Sequence, residues 1–248
     1  MPFRTLEEFG IKPRLGTVCM IAAVPGAMKS MLALYWTARM NLPTLFFSAD
    51  TDAYESTKRA AAMVSGDTQA VVEQNLNTGN ADKYFDILNT LNLRWVFETD
   101  PTYLDLELET AAFAEAHGDF PKIIVIDNLM NVVGSNENEF ASMRDTTKAL
   151  KRLVRITDAA VFVLHHMQET EKDTSKPPAR NRLQGKVSQL PEIILSIARN
   201  GDEMRISPVK NRFGPGDASG EKYVSLYADA TRCRFYESKY AMEQGIAI

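Results

Sequence analysis

The residues best suited to chemistry form one short stretch, A-A-V-P-G-A-M-K-S, at residues 22–30. Its Lys29 and Ser30 stand where the phosphate-loop pattern G-x-x-x-x-G-K-[ST] has its lysine and its hydroxyl. In that pattern, backbone N–H groups and the lysine bind the β- and γ-phosphates, and the hydroxyl completes a Mg²⁺ shell. The stretch predicts a turn that binds ATP through Ala23, Val24, Pro25, Gly26, Ala27, Met28, Lys29, Ser30 and Met31.

Both glycines of the pattern are replaced, the first by Ala23 and the second by Met28. Glycine is used at these positions because it accepts unusual φ angles and lets the backbone approach the phosphate. Taken alone, the stretch leaves open an ordinary strand–turn–helix connection, so the neighbouring strands must decide.

Two further predicted strands end in carboxylates. Asp127 follows the apolar run K-I-I-V-I and would hold Mg²⁺ together with Ser30, although a lone aspartate at a strand end commonly caps a helix instead. The run F-F-S-A-D-T-D offers Asp50 and Asp52 for orienting water beside the γ-phosphate, with Glu55 less suitable. We expect Asp50 to be the base and Asp52 to cap the helix that follows.

A pair of cations ends a later predicted strand. Lys210 and Arg212 are separated by one residue in V-K-N-R-F-G-P-G, so on a strand they point to the same side and reach one anionic group. Such a pair suits the equatorial oxygens of a phosphoryl group in transfer. A solvated hairpin is the alternative for an isolated K-N-R.

The elements that must position these residues alternate along the chain. Short, almost continuously apolar runs predict buried strands, and the segments between them have helical period. The predicted strands are 17–22, 44–47, 93–97, 122–126 and 160–164. The predicted helices are 29–40, 53–64, 81–91, 104–117 and 137–157. This alternation predicts an α/β fold with a mostly parallel, twisted sheet flanked by helices.

The chain after residue 178 has a different pattern. Apolar segments without helices between them predict an antiparallel extension of the sheet, at 192–198, 203–209, 222–227 and 232–236. The polar, proline-bearing segment 169–183 predicts a mobile loop. We expect one domain over 1–248, with 1–16 leading into the first strand and 217–248 forming the last strands.

Composition excludes several classes of protein. With 45% hydrophobic and 24% charged residues, the chain is neither disordered, collagen-like nor a disulfide scaffold. A net charge of −4 means that any contact with nucleic acid needs a local basic patch. Cys19 and Cys233 lie far apart, and no apolar run is long enough for a membrane span. We expect a cytoplasmic protein without membrane contact.

The assembled motifs resemble the RecA-like core of DnaB-type replicative helicases over most of the chain. F-S-A-D places Asp50 where that family has the catalytic glutamate of F-S-L-E, and V-L-H-H-M places His166 where it has a γ-phosphate-sensing glutamine. Lys210 and Arg212, followed by Gly-Pro, match a lysine and an arginine that the family donates to the neighbouring subunit's ATP. The catalytic set implied by the resemblance is Lys29, Asp50, His166, Lys210 and Arg212.

The resemblance also implies cofactors and partners. It implies ATP with Mg²⁺, action on single-stranded or forked DNA, and a homo-oligomer, a hexameric ring being favoured, in the cytoplasm of a bacterium or a phage-infected host. Loops that face the channel of RecA-like rings correspond here to 134–139 and 169–183. The second loop contains Lys176, Arg180 and Arg182, which would track a phosphate backbone.

Two alternatives stay open. Asp50, Asp52 and Asp127 would make a metal-dependent nuclease for branched or end structures if they clustered around a divalent ion. The replaced glycines would also suit a loader or assembly module that binds nucleotide without turnover. Because of those replacements and the short Asp50 side chain, we expect slow or conditional hydrolysis.

Overall fold

The computed structural model describes residues 2–134, 139–168, 175–189 and 191–246, with the backbone alone at 139–144 and 186. The strands are β1 Val18–Ala23, β2 Thr44–Ser48, β3 Leu93–Val96, β4 Ile123–Asp127, β5 Ala160–His166, β6 Ile193–Asn200, β7 Glu203–Asn211, β8 Val224–Asp229 and β9 Arg234–Tyr236. The helices are α1 Arg4–Glu8, α2 Lys29–Met40, α3 Ala53–Ser65, α4 Gln69–Asn77, α5 Asp82–Leu88, α6 Tyr103–His117, α7 Glu139–Thr157 and α8 Lys239–Glu243. Among the described residues, no helix is both long enough and apolar enough to cross a membrane.

The strands of the described ranges form one sheet in the order β3-β2-β4-β5-β1-β6-β7-β8-β9. The pairs from β3 to β6 are parallel, and those from β6 to β9 are antiparallel. The predicted class, a mostly parallel α/β sheet with an antiparallel extension, is confirmed. We call the side where the parallel strands end the carboxyl edge, and the side where they begin the amino edge.

The central strand β1 is buried on both faces of the sheet. Cys19, Ile21 and Ala23 pack in the core on the side of α2 and α3. Val18, Met20 and Ala22 pack in a second core against α6 and α7. This alternation explains why the strand reads as a continuous apolar run, since each face is covered by helices.

Three sequence predictions need correction. The first of the late strands, β6, runs parallel to β1, with Cys19 opposite Ile193, because it begins at the same edge of the sheet as β1. The helix α4 was not predicted; its only buried residue is Val72, and its first turn is capped by Thr68. The segment 217–248 contains the short helix α8 as well as strands.

The described part of the predicted loop, residues 175–183, lies against the late strands. The Ser196 hydroxyl donates to the Pro178 carbonyl at 2.6 Å, and the Arg180 N–H donates to the Ala218 carbonyl at 2.9 Å. A 3₁₀ turn follows at Arg180–Arg182. Residues 169–174 of the predicted loop, and 135–138 of the other channel loop, lie outside the described residues.

Candidate functional site

The phosphate-loop stretch forms a turn at the carboxyl edge, between β1 and α2. Gly26, at φ +78°, and Met28, at φ +63°, bend the chain so that α2 begins at Lys29. The first N–H groups of a helix have no partner within it and attract anions. The turn and the start of α2 line a cleft of about 380 Å³ that also includes Arg59, Gln69 and Arg199.

The two replaced glycines differ in what they require of the backbone. Ala23 is the last residue of β1 and lies between His166 and Ile197 in ordinary strand pairing, so its buried methyl group fits without an unusual φ. Met28 takes the left-handed conformation, with φ 63° and ψ 29°. That conformation costs a residue with a Cβ about 1–2 kcal/mol. Met28 also packs partly against the core while it lines the cleft.

Asp127, at the end of β4, lies beside the start of α2. It is only 2% exposed, and burial raises its pKa to about 6 although a hydrogen bond with Ser30 and the charge of Lys29 lower it. Its Oδ1 atom is buried without a hydrogen-bond partner among the described residues. A buried carboxylate oxygen next to a hydroxyl is the kind of donor set that fits Mg²⁺, which usually takes one or two protein oxygens plus phosphates. In the described ranges, no group of three His, Cys, Asp or Glu side chains is placed to hold a metal ion.

Asp50 follows β2 and His166 ends β5, the two strands on either side of β4, and a side chain that follows β4 joins them. The Asn128 amide nitrogen Nδ2 donates to Asp50 Oδ2 at 2.5 Å and lies 3.3 Å from His166 Nε2. Burial and the nearby charge of Lys29 lower the pKa of His166, against the opposing charge of Asp50. The imidazole is therefore neutral at physiological pH. Like Asp127, it lies close enough to Lys29 for the charge of the lysine to lower its pKa.

The other acidic candidates near Asp50 have different partners. Asp52 is the N-cap of α3 and accepts from the Glu55 N–H at 2.8 Å, so its predicted capping role is confirmed. Glu55 forms ion pairs with Lys58 and Arg59. These contacts leave Asp50 as the carboxylate that meets the strand ends.

His165 connects the site to a second region. Its ring is buried, which lowers its pKa to about 4, and its Nε2 lies 3.0 Å from the Gln184 carbonyl oxygen. Gln184 begins the 3₁₀ turn Gln184–Gln189. At the far end of this turn, the carbonyls of Ser188 and Gln189 accept from Lys210 Nζ at 2.8 and 2.9 Å.

Lys210 and Arg212 lie at the amino edge, on the other side of the sheet from Lys29. In the sheet register Lys210 is opposite Ile194, near the start of β6. Glu192 forms ion pairs with Arg212 at 3.7 Å and with Lys151 at 2.9 Å. Burial, Arg212 and Lys151 lower the pKa of Lys210 to about 8. The Arg212 side chain is 54% exposed.

The three cations predicted to bind DNA are on the surface. Lys176 pairs with Glu221 at 3.3 Å, and both side chains are largely exposed. Arg180 and Arg182 are exposed on their 3₁₀ turn. Arg180 is close enough to Lys210 to lower its pKa.

Several residues of the site carry no motif and were missed by sequence reasoning. Arg59, Gln69 and Arg199 line the cleft from three separate elements. The Gln69 side chain donates to the Ala230 carbonyl at 2.9 Å, which ties the start of α4 to the turn between β8 and β9. Asn128 directly follows Asp127, and only that adjacency could have drawn attention to it.

Comparisons with known proteins find one matching family and two phage relatives. An AAA domain family matches residues 11–172. The Gene 65 protein of Mycobacterium phage L5 is 32% identical over 234 residues, covering 89% of this chain and 86% of that protein. The Gene 65 protein of Mycobacterium phage D29 is 30% identical over 220 residues, covering 84% and 93%.

Two solved structures are similar in fold. A DnaB-like replicative helicase, described with its interactions with primase, has a TM-score of 0.83 at 17% identity and covers 95% of this chain. This chain spans 62% of that helicase's length. The second structure, an ATPase domain solved by itself, has a TM-score of 0.84 at 17% identity, covering 96% of this chain and 90% of that domain. The fold is therefore the RecA-like fold of DnaB-type ATPase domains, as the sequence predicts.

Proposed function

The chain belongs to the AAA domain family, and from that premise we propose that it is a Mg²⁺-dependent ATPase that acts on DNA like a DnaB-type helicase or translocase. One observation carries the proposal. Lys29, Asp127, Asp50 and His166 meet at the carboxyl edge, around a helix start that opens into a cleft. These are the groups that phosphoryl transfer to water requires.

The turn and the start of α2 bind the phosphates. Backbone N–H groups between Val24 and Met31, except at Pro25, which has none, would bind the β- and γ-phosphates, and the Lys29 ammonium would neutralise their charge. Ser30 and Asp127 would hold Mg²⁺, which would supply positive charge against the charge that develops on the phosphate oxygens. The partnerless Oδ1 of Asp127 supports this role.

Asp50 orients the attacking water, and His166 contacts the γ-phosphate. Asp50 is exposed at the edge of the site, so water has access to its carboxylate. His166 is neutral and its Nε2 lies against the Asn128 amide, so Nδ1, which is buried without a hydrogen-bond partner among the described residues, would carry the proton and donate to a phosphate oxygen.

Lys210 and Arg212 serve the ATP of another subunit. They lie at the amino edge, whereas Lys29 lies past the carboxyl end of β1. Five residue steps along β1 alone separate the edges by about 16 Å, more than an arginine side chain spans. A homo-oligomer, with a hexameric ring favoured, would bring this pair to a neighbouring cleft.

The partner we propose is single-stranded or forked DNA. The exposed guanidinium groups of Arg180 and Arg182, with Lys176 beside them, provide a local basic patch on a chain of net charge −4. Such a patch binds the phosphate backbone without reading sequence. Because the two relatives are phage proteins, we propose the cytoplasm of the infected cell as the place of action.

An assay of phosphate release with and without single-stranded DNA tests the proposal, with Lys29→Ala as the control. We expect release that DNA stimulates and that Lys29→Ala abolishes. Tight ATP binding without release would favour the loader. Cleavage of forked DNA with Mg²⁺ or Mn²⁺ but no ATP, lost in Asp127→Ala, would favour the nuclease, a function to which the capping role of Asp52 lends no support.

A further inference from the structure

Asn128 is a buried polar residue between two groups of the proposed site. Its side chain is at the carboxyl edge, one residue after Asp127, and the residue is only 3% exposed. Its three polar contacts are to Asp50 Oδ2 at 2.5 Å, to His166 Nε2 at 3.3 Å and to the Met130 N–H at 2.8 Å. Asn128, which follows β4, therefore contacts groups at the ends of both strands that flank β4, namely β2 and β5.

The contacts fix how the amide is oriented. The Met130 N–H can only donate, so the amide oxygen Oδ1 must face it. The nitrogen Nδ2, with its two hydrogens, then faces Asp50 and His166. One hydrogen goes to the carboxylate and the other to the imidazole, which accepts through Nε2 and carries its own proton on Nδ1.

Asp50 needs such a partner more than a longer acid would. The residue is exposed, and among the described residues its one side-chain hydrogen bond is with Asn128. It is also one methylene shorter than the glutamate of the DnaB-type pattern. Without the amide, the carboxylate would rotate between several staggered conformations, of which only one faces the γ-phosphate.

We propose that Asn128 is a positioning residue for ATP hydrolysis, whose amide holds the water-orienting carboxylate of Asp50 and the phosphate-facing imidazole of His166 in one fixed geometry. The inference rests on the proposed function and adds to it the residue that joins its two reactive groups. Asn128 itself touches neither water nor phosphate in this role. It acts through Asp50 and His166.

A purely structural role makes a different prediction. The Asn128 side chain also caps the 3₁₀ turn Leu129–Asn131 through Met130. Serine is as good a cap acceptor as asparagine, but its single hydroxyl cannot reach both Asp50 and His166. Asn128→Ser therefore keeps the cap and removes the link.

The experiment measures kcat, KM and the dissociation constant for ATP·Mg²⁺ in the full chain with single-stranded DNA. We expect Asn128→Ser to lower kcat roughly 10- to 100-fold, the range seen when an orienting partner is lost. The dissociation constant should stay within about threefold, because the phosphate loop is untouched. Asn131→Ser, the same substitution in the same turn, is the matched control and should leave kcat unchanged.

A double-mutant cycle separates action through Asp50 from an independent effect. In an Asp50→Asn background, Asn128→Ser should lower kcat by clearly less than it does in the unsubstituted chain, because one of the two groups that it positions has already lost its function. Multiplication of the two effects would overturn the proposal. If Asn128→Ser lowers the melting temperature strongly, the isosteric Asn128→Asp, which keeps the cap and removes both donors, replaces it and must lower kcat as well.

The outcomes distinguish this inference from the proposed function. Normal kcat in a folded Asn128→Ser chain overturns the inference alone. Absence of phosphate release from the unsubstituted chain overturns the proposed function, and the inference with it.

Discussion

The two edges of the same sheet differ in how their charged groups are placed. At the carboxyl edge, Asp127 is buried beside Ser30 and Lys29, and Asp50 and His166 are joined through one amide. At the amino edge, Lys210 and Arg212 are bound to two carbonyls and a glutamate of their own chain, and the arginine is half exposed. The first edge is organised around a cleft of its own. The second presents cations to the outside.

The difference shows how the position of a side chain in the sheet determines whether it can contact the nucleotide of its own chain or that of a neighbouring one. Parallel strands bring all their carboxyl ends to one place, so groups that follow β1, β2, β4 and β5 meet without help from another chain. A strand that returns antiparallel, as β7 does, ends at the other edge. Its terminal cations are therefore directed away from the phosphate loop of the same molecule.

Arg212→Ala tests this contrast with the largest expected effect. The variant should bind ATP·Mg²⁺ as the unsubstituted chain does, because its own cleft is intact. Its turnover should fall by roughly 10³-fold or more, the range for an arginine supplied by a neighbour. Calorimetry and phosphate release measure the two quantities, and Arg39→Ala, an exposed arginine at the end of α2, is the control.

A mixture of two inactive variants sharpens the same test. Lys29→Ala lacks the cleft's lysine but keeps Lys210 and Arg212, and Arg212→Ala has the reverse defect. Random assembly at equal amounts would make about a quarter of the interfaces complete, so activity should return on mixing. Full activity of Arg212→Ala alone, or no recovery in the mixture, would contradict service across an interface.

The affinity of the carboxyl edge for ATP·Mg²⁺ should fall at acid pH because of the buried Asp127. Burial raises the pKa of this carboxyl from 3.8 to about 6, so below that pH it is protonated and no longer binds Mg²⁺. Affinity for ATP·Mg²⁺ should fall up to about tenfold per pH unit below pH 6, as followed by calorimetry between pH 5 and 7.5. Asp127→Asn should bind weakly throughout and lose this dependence.

The stability of the chain without nucleotide should change with pH in the opposite direction. Because the folded state binds the Asp127 proton more tightly than the unfolded state, stability falls as pH rises from about 4 to about 6. Urea unfolding of the chain and of Asp127→Asn over this window measures the difference. If the free energy of unfolding depended on pH equally in both proteins, Asp127 would not be the acid with the raised pKa.

Met28→Gly probes the one strained position of the phosphate loop. Relief of the left-handed conformation is offset by the greater freedom of an unfolded glycine and by lost packing, so the free energy of unfolding should change by less than about 1 kcal/mol. ATP affinity should rise a few-fold, because the backbone can approach the phosphate more closely. Asn41→Gly, at the left-handed residue that ends α2, is the control and should leave affinity unchanged. Weaker binding by Met28→Gly would mean that the methionine side chain contributes to the cleft.

An effect of pH on stability is expected at Lys210. Burial and neighbouring cations lower its pKa from 10.5 to about 8, so the unfolded state binds its proton more tightly. The free energy of unfolding should therefore rise between pH 8 and about 10.5, and less so in Lys210→Met. Chemical unfolding at pH 7.5 and 10 compares the two. Identical pH dependence would show that the ammonium is fully solvated.

The sequence predicted the residues that follow strand ends better than those that join them. Lys29, Asp127 and Asp50 each follow a buried apolar run, and such runs are readable because both faces of a parallel sheet are covered. Asn128 and Glu192 work through contacts to residues 78 and 174 positions away, and no local pattern encodes such distances. The helix α4 was missed because its apolar face is short and consists of Val72 and Leu76, which pack in a small cluster with α3 and α5.

The placement of Lys210 and Arg212 at the edge opposite the phosphate loop has a consequence for any assembly of this chain. Under the proposed pairing the contact is head-to-tail, so in an open row one terminal molecule always has a cleft that no neighbour completes. A pair of molecules would then hold one complete cleft and one idle one, and each added copy would shrink the idle share. Closing the row would remove it altogether, and turnover per molecule would climb with protein concentration until that point.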